Sequence, residues 1–239
     1  MDKNKQSEFP MRINKYLAHE GVTTRKGADL LVERGKVKIN GRTAKLGDKI
    51  EKGDKVEIEE KAKPKAESNL YFAYHKPRGL ETSEAGKIKT GKTSAAGVFP
   101  VGRLDKDSSG LLIVTNDGRL TDRLLNPKRK HEKEYEVEVD KPVLGHLLKR
   151  LEIGVNIEGY HTKKCQAIKS GLKKFRVIIT EGKKHQIRRM CAAVGWQVKF
   201  LIRTRVVNIE LGDLAPGDIR PLSKDERDDL LKTLGLSQK

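Results

Sequence analysis

An unbroken apolar run, Leu111-Leu112-Ile113-Val114, follows directly on an acidic turn, Asp105-Lys106-Asp107-Ser108-Ser109-Gly110. A second apolar run, Val98-Phe99-Pro100-Val101, lies on the other side of that turn. A short continuous apolar run bounded by turn residues describes a buried strand. The fold must therefore close a tight turn at the mouth of a buried strand and set carboxylates there. A carboxylate in such a place is costly unless it is paired or at work. Turn chemistry accounts for Asp107, Ser108, Ser109 and Gly110. Asp105, which comes straight after Leu104 and before the turn proper, is left over.

A calcium loop is the first explanation to test. Asp105-x-Asp107-x-Ser109-Gly110 matches the opening of an EF-hand, but the twelfth position is Asn116 where a bidentate Glu is required. The flanks are also strand-like and not helical. Metal binding is therefore not expected, and neither the two cysteines nor the six histidines show metal-ligand spacing.

The surroundings of the loop are strongly basic. Lys and Arg outnumber Asp and Glu by 51 to 33 over 239 residues, a net charge of +18. The excess is spread along the chain, with +5 in residues 1–67 and +13 beyond them. A surplus of that size points to a polyanionic partner. No apolar stretch approaches the ~18 residues of a membrane span and the N-terminus has no hydrophobic signal core, so a cytoplasmic location is expected.

Residues 1–10 read as a disordered extension. Ile13, Tyr16 and Leu17 keep helical spacing, with Gly21 as a stop; Thr23 or Thr24 caps a second helix that buries Ala28, Leu31 and Val32 and ends at Gly35. Lys36-Val37-Lys38-Ile39 alternates like a strand and runs into the hairpin signal Asn40-Gly41. Gly47-Asp48 and Gly53-Asp54 punctuate two further short strands ending at Ile58. Residues 11–58 form a small module, 59–69 a charged linker and 70–239 a second domain.

That second domain offers strands over 70–74, 111–115, 134–139, 164–168, 174–180, 196–202 and 205–211. Its helices are few. Pro142 opens one burying Leu144, Leu147, Leu148 and Leu151. Another carries Ile187, Met190, Cys191 and Val194, and a last one begins with the capping pair Ser223 and Glu226. Many strands without regular β-α-β alternation predict an α+β fold with a largely antiparallel mixed sheet.

Two further stretches carry chemistry. In Gln186-Ile187-Arg188-Arg189-Met190, helical geometry sets Arg188 beside the apolar stripe and Arg189 nearly opposite. Arg188 then needs an acidic partner, catalytic or purely structural, while Arg189 is free for solvent or a phosphate. In Lys133-Glu134-Tyr135-Glu136-Val137-Glu138-Val139, alternation sets Tyr135, Val137 and Val139 on one face and the glutamates on the other. Tyr135 is either a core tyrosine or a surface on which a base stacks.

Together Lys76-Pro77-x-Gly79, Val101 to Leu112, Thr115-Asn-Asp-Gly118, Lys133-Glu-Tyr135 and Gln186-Ile-Arg188-Arg-Met190 resemble the RsuA/RluB/RluF group of ribosomal RNA pseudouridine synthases, the RluF type most closely. Residues 12–58 resemble that group's S4 RNA-binding domain. The resemblance implies that Asp105 is the catalytic aspartate, Arg188 its basic partner and Tyr135 the aromatic residue under the target base. It implies a leucine behind the site at Leu201, with His185 standing where relatives near RluF carry arginine. Arg103, Lys133, Arg189, Arg203 and Arg205 are then expected to hold phosphates, and Lys15, Arg25 and Lys26 to dock the first domain on structured RNA. The implied reaction breaks the N1–C1′ bond of a uridine, turns the uracil and joins C5 to C1′, so no cofactor is expected. Large-subunit ribosomal RNA is the expected substrate and a monomer the expected state. The alternatives are a small-subunit specificity, or an RNA-binding or ribosome-assembly protein without chemistry.

Overall fold

The computed structural model describes residues 9–20, 22–23, 25–59, 69–83 and 98–236. By compactness they divide into two units, one of residues 9–70 with Asn116–Arg119, the other of Tyr71–Thr115 with residues 120–236. The expected extension and linker fall almost wholly outside the described residues, as do Gly21 and Thr24.

The first unit contains β1 (Met11–Arg12), α1 (Ile13–His19), α2 (Arg25–Glu33), β2 (Val37–Ile39), β3 (Arg42–Thr43), β4 (Lys49–Ile50) and β5 (Val56–Ile58). β3, β2 and β5 form an antiparallel sheet, while β4 pairs with β1. Ile13, Leu17, Ala28 and Val32 from the helices pack on Val37, Ile39 and Ile50 from the strands, with Leu31 at the margin of this core. The Asn40-Gly41 turn has positive φ at both residues, the condition for a two-residue hairpin. Asp48 and Asp54 close their turns by accepting the backbone N–H of Lys45 and Glu51. Two helices on a small sheet is the arrangement expected.

The second unit is built on a mixed sheet of β6 (Tyr71–Lys76), β7 (Phe99–Val101), β8 (Ser109–Thr115), β9 (Lys133–Val139), β12 (Gln166–Lys169), β13 (Lys174–Ile179), β14 (Val198–Val206), β15 (Ile209–Glu210) and β16 (Ile219–Pro221). Its main path runs β12-β13-β9-β14-β8-β6-β16; every pairing is antiparallel except that of β14 with β8. A hairpin of β10 (Asn156–Ile157) and β11 (Tyr160–His161) stands apart from it.

Three helices, α3 (Arg119–Leu125), α4 (Gly145–Ile153) and α5 (Gln186–Ala193), precede α6 (Lys224–Thr233). One face of the sheet, with Tyr135, Val137, Phe175, Val177 and Leu201, packs on Leu148 and Leu151 of α4 and on Ile187, Met190 and Cys191 of α5. The other face, with Ala73, Leu111 and Ile113, packs on Leu120 and Leu124 of α3 and Leu230 and Leu231 of α6. Leu111 to Val114 therefore feed both cores, which is why that run does not alternate.

Some expectations are corrected. The break expected between strands 196–202 and 205–211 lies later: β14 runs unbroken from Val198 to Val206, and the turn to the short β15 falls at Val207, whose φ is +56. Arg203 and Arg205 do not break the strand because their guanidinium groups find partners beside it. α3 was not anticipated, being a short helix with only Leu120 and Leu124 to mark its buried stripe. α4 starts at Gly145, with Leu144 as an extended, exposed N-cap outside the core. The capping box of Ser223 and Glu226 forms as read.

Candidate active site

Asp105 sits in the loop between β7 and β8, and that loop is held by its carbonyl oxygens. Five in succession accept hydrogen bonds. Arg103 O receives Arg203 Nη1 at 3.5 Å and Leu104 O receives Thr82 Oγ1 at 2.7 Å. Asp105 O accepts from Ser108 N at 3.0 Å, and Lys106 O from Gly79 N at 2.8 Å. Asp107 O accepts from Arg188 Nη2 at 3.0 Å. Thr82 also receives Leu104 N, and Arg188 reaches Ser108 Oγ. Almost every donor comes from outside the turn, so the backbone around Asp105 is fixed from several sides. Its side chain is left uncommitted by this scaffold.

That side chain is 35% exposed, and His185 Nε2 lies 3.4 Å from its Oδ1. Lys76 is fully buried beneath the loop, its Nζ donating to Pro77 O at 2.9 Å and Leu80 O at 2.7 Å. Burial pushes the Lys76 ammonium below its ordinary range, and the negative charges of Asp105 and Asp107 oppose that fall. A positive charge thus lies under the aspartate.

The expected pairing of Arg188 with Asp105 takes a different form. Arg188 donates to Asp107 O, Ser108 Oγ and Val198 O, so it fixes the loop through backbone instead of neutralising the carboxylate. His185, at φ +51 just ahead of α5, is the side chain that meets Asp105. Neither Lys76 nor Thr82 stood out as a site residue. Their role depends on carbonyls, which leave no trace in a side-chain pattern.

Tyr135 is buried on β9, opposite Val177 of β13 and Arg203 of β14. Leu201, two residues before Arg203, faces the same core. Arg203 was expected to hold a phosphate, but it is 4% exposed and donates Nε to Leu111 O at 2.7 Å. Arg205 was expected in the same role and is instead bound to Glu132 and Glu134, each at 3.0 Å. Arg189 is likewise committed, to Glu158 at 2.6 Å and to Ile157 O. In each case a partner contributed by a distant segment overrides the surface role. Arg103 remains exposed, with its side chain in no ion pair among the described residues. In the first unit Lys15 is half-buried on α1 and Arg25 exposed on α2, while the Lys26 side chain lies outside the described residues.

Lys133, on the same face of β9 as Tyr135, donates to His131 O at 3.2 Å. Burial, with the charge of Arg203 second, lowers its pKa from 10.5 to about 8. Because the folded value lies below the unfolded one, the unfolded chain binds more protons between pH 8 and 10.5 and stability gains as pH rises through that window. Lys133→Met should therefore be relatively more stable than the parent at pH 7, by a margin that shrinks toward pH 10. Urea midpoints of the two proteins across this range give the comparison; a constant difference would mean that Lys133 is not desolvated.

Asp105 in its clamped loop and Tyr135 buried on β9 both lie in the sheet unit, and that unit carries the match to a class of RNA-acting isomerases. The family model described as RNA pseudouridylate synthase matches residues 70–193, and that of the S4 domain matches residues 11–56. The chain belongs to the RNA pseudouridylate synthase family. It is 40% identical to the dual-specificity RNA pseudouridine synthase RluF of Escherichia coli strain K12, over 94% of this chain and 79% of that protein. It is 35% identical to the ribosomal large subunit pseudouridine synthase B of Bacillus subtilis, over 90% of this chain and 93% of the relative. A crystal structure of a pseudouridylate synthase superposes with a TM-score of 0.68 at 30% identity, over 92% of this chain and 99% of that one.

Proposed function

We propose that this chain isomerises one uridine of large-subunit ribosomal RNA, with Asp105 as the catalytic residue. The observation that carries the reading is the fixation of Asp105: five consecutive loop carbonyls are bonded while its own carboxylate stays partly open. An ionised carboxylate at C1′ acts as nucleophile, or stabilises cationic sugar character, as the N1–C1′ bond breaks. The uracil then turns over Tyr135, C5 bonds to C1′, and the C5 proton is given up as N1 regains one. Substrate and product are isomers, so atoms and electrons balance without a co-reactant. Arg188 and Arg203 act by holding the loop still, which is worth much when one atom must meet C1′. The uridine leaves its stack to reach the site, at a cost of roughly a few kcal/mol, and basic groups on the surface supply the grip.

The large-subunit assignment rests on the name of the Bacillus subtilis relative, a ribosomal large subunit pseudouridine synthase. Pseudouridine mapping of total RNA from cells with and without the protein tests it. One large-subunit site should vanish in its absence. Loss of a small-subunit site instead would overturn the specificity, and identical maps would leave an RNA-binding or ribosome-assembly role.

A further inference from the structure

Phe200 is 48% exposed, the most open of the chain's aromatic side chains. It lies on β14 opposite Glu138, one step out of phase with Leu201 and Arg203, so it stands on the face away from Tyr135. The guanidinium of Arg78 lies over its ring, 5.1 Å from the centroid. Arg78 belongs to the turn after β6, whose next residue, Gly79, donates its N–H to Lys106 O in the Asp105 loop at 2.8 Å. The stacked pair is thus tied to the rim of the catalytic loop by a direct backbone bond. Lys199, exposed, precedes Phe200 in sequence, and Lys106, whose carbonyl takes the Gly79 bond, is exposed as well. Glu138, directly opposite on β9, has Lys174 at 3.4 Å.

An exposed phenylalanine with a cation on its face meets the needs of a nucleobase, which stacks on aromatic rings and guanidinium planes while its phosphate seeks positive charge. The reaction also creates the demand. A uridine that leaves its stack for the Asp105 pocket deprives its neighbour of a stacking partner. We propose that Arg78 and Phe200 form a shelf on which the base flanking the target uridine stacks. This rests on the reading of Asp105 as the uridine site, and it assigns a specific grip on RNA to a pair other than Asp105, Tyr135 and Arg188.

The test uses the full chain and a single-stranded RNA oligonucleotide carrying 2-aminopurine beside a uridine. Binding to the parent should quench the fluorophore. Phe200→Ala should lose the quench and bind about ten-fold more weakly, with the salt dependence of affinity unchanged. Phe200→Trp should keep both quench and affinity, which separates stacking from a folding defect. Arg78→Ala should lower the slope of log affinity against log salt by about 0.7, the loss of one phosphate contact on a single strand. A Phe200→Ala protein that quenches as before and binds within two-fold of the parent overturns the shelf. An Asp105→Asn protein that remains active would overturn the catalytic reading alone, since the quench and affinity assays report on the shelf independently of turnover.

Discussion

Asp105→Asn should abolish pseudouridine formation, with a fall of roughly 10⁴-fold or more, the scale seen when a catalytic nucleophile is removed. The structure makes this substitution clean. The loop is held through the backbone oxygens of residues 103–107, and the Asp105 side chain contributes none of those bonds. Asn preserves shape and leaves the clamp in place; it removes only the negative charge that faces His185 Nε2 at 3.4 Å. RNA affinity should stay within a few-fold of the parent, or tighten slightly as a negative charge leaves a basic surface. Single-turnover assays on ribosomal RNA, with binding measured in parallel, separate the two effects. An Asn variant within ten-fold of parental turnover would show that the carboxylate is not the working group.

Gly110→Ala should be the most damaging single methyl in the catalytic unit. Gly110 has φ +111, and a Cβ there would overlap the backbone oxygen of Arg203 and lie 2.5 Å from its nitrogen. These are main-chain atoms at the one parallel junction of the sheet, where β8 and β14 meet, and neither can swing aside. Backbone strain and forced separation each cost about 1–3 kcal/mol, so a loss on the order of 3 kcal/mol or more is expected. Function should suffer beyond stability, because moving β14 also withdraws Arg203 from Leu111 O and Arg103 O. Gly102→Ala is the control: its Cβ would come 3.0 Å from the flexible end of Leu125, so strain at φ +85 is its main cost. Urea denaturation of the three proteins measures the difference. A Gly110→Ala protein within 0.5 kcal/mol of the parent would contradict the close approach described.

The outcome of both experiments depends on a loop that is partly legible in the sequence. Val101 to Leu112 reads as a turn at a buried strand, and turn chemistry accounts for Asp107, Ser108, Ser109 and Gly110 while leaving Asp105. The Asn40-Gly41 hairpin, the Ser223 capping box and the stripe of α5 were readable for the same reason, that each is a local pattern with a local cause. Leu144 and the strand break expected at 203–204 differ from the fold because spacing alone cannot say which apolar residue finds a neighbour, or which polar one finds a partner.

The arginines mark the boundary most sharply. Helical geometry separates Arg188 from its neighbour in the sequence, but Arg189, Arg203 and Arg205 look interchangeable as phosphate holders in a basic chain. In the folded protein Arg188 clamps the Asp105 loop, Arg189 holds Glu158, Arg203 is buried on strand carbonyls and Arg205 pairs two glutamates. The sequence by itself determined that one carboxylate would be singled out at the end of a buried strand, because turn residues and apolar runs act on their immediate neighbours. Only the tertiary structure decided what holds that carboxylate in place. Its supports are donors from segments far apart in the chain, which meet the loop's own backbone carbonyls, and a carbonyl looks the same at every position until the fold brings a donor to it.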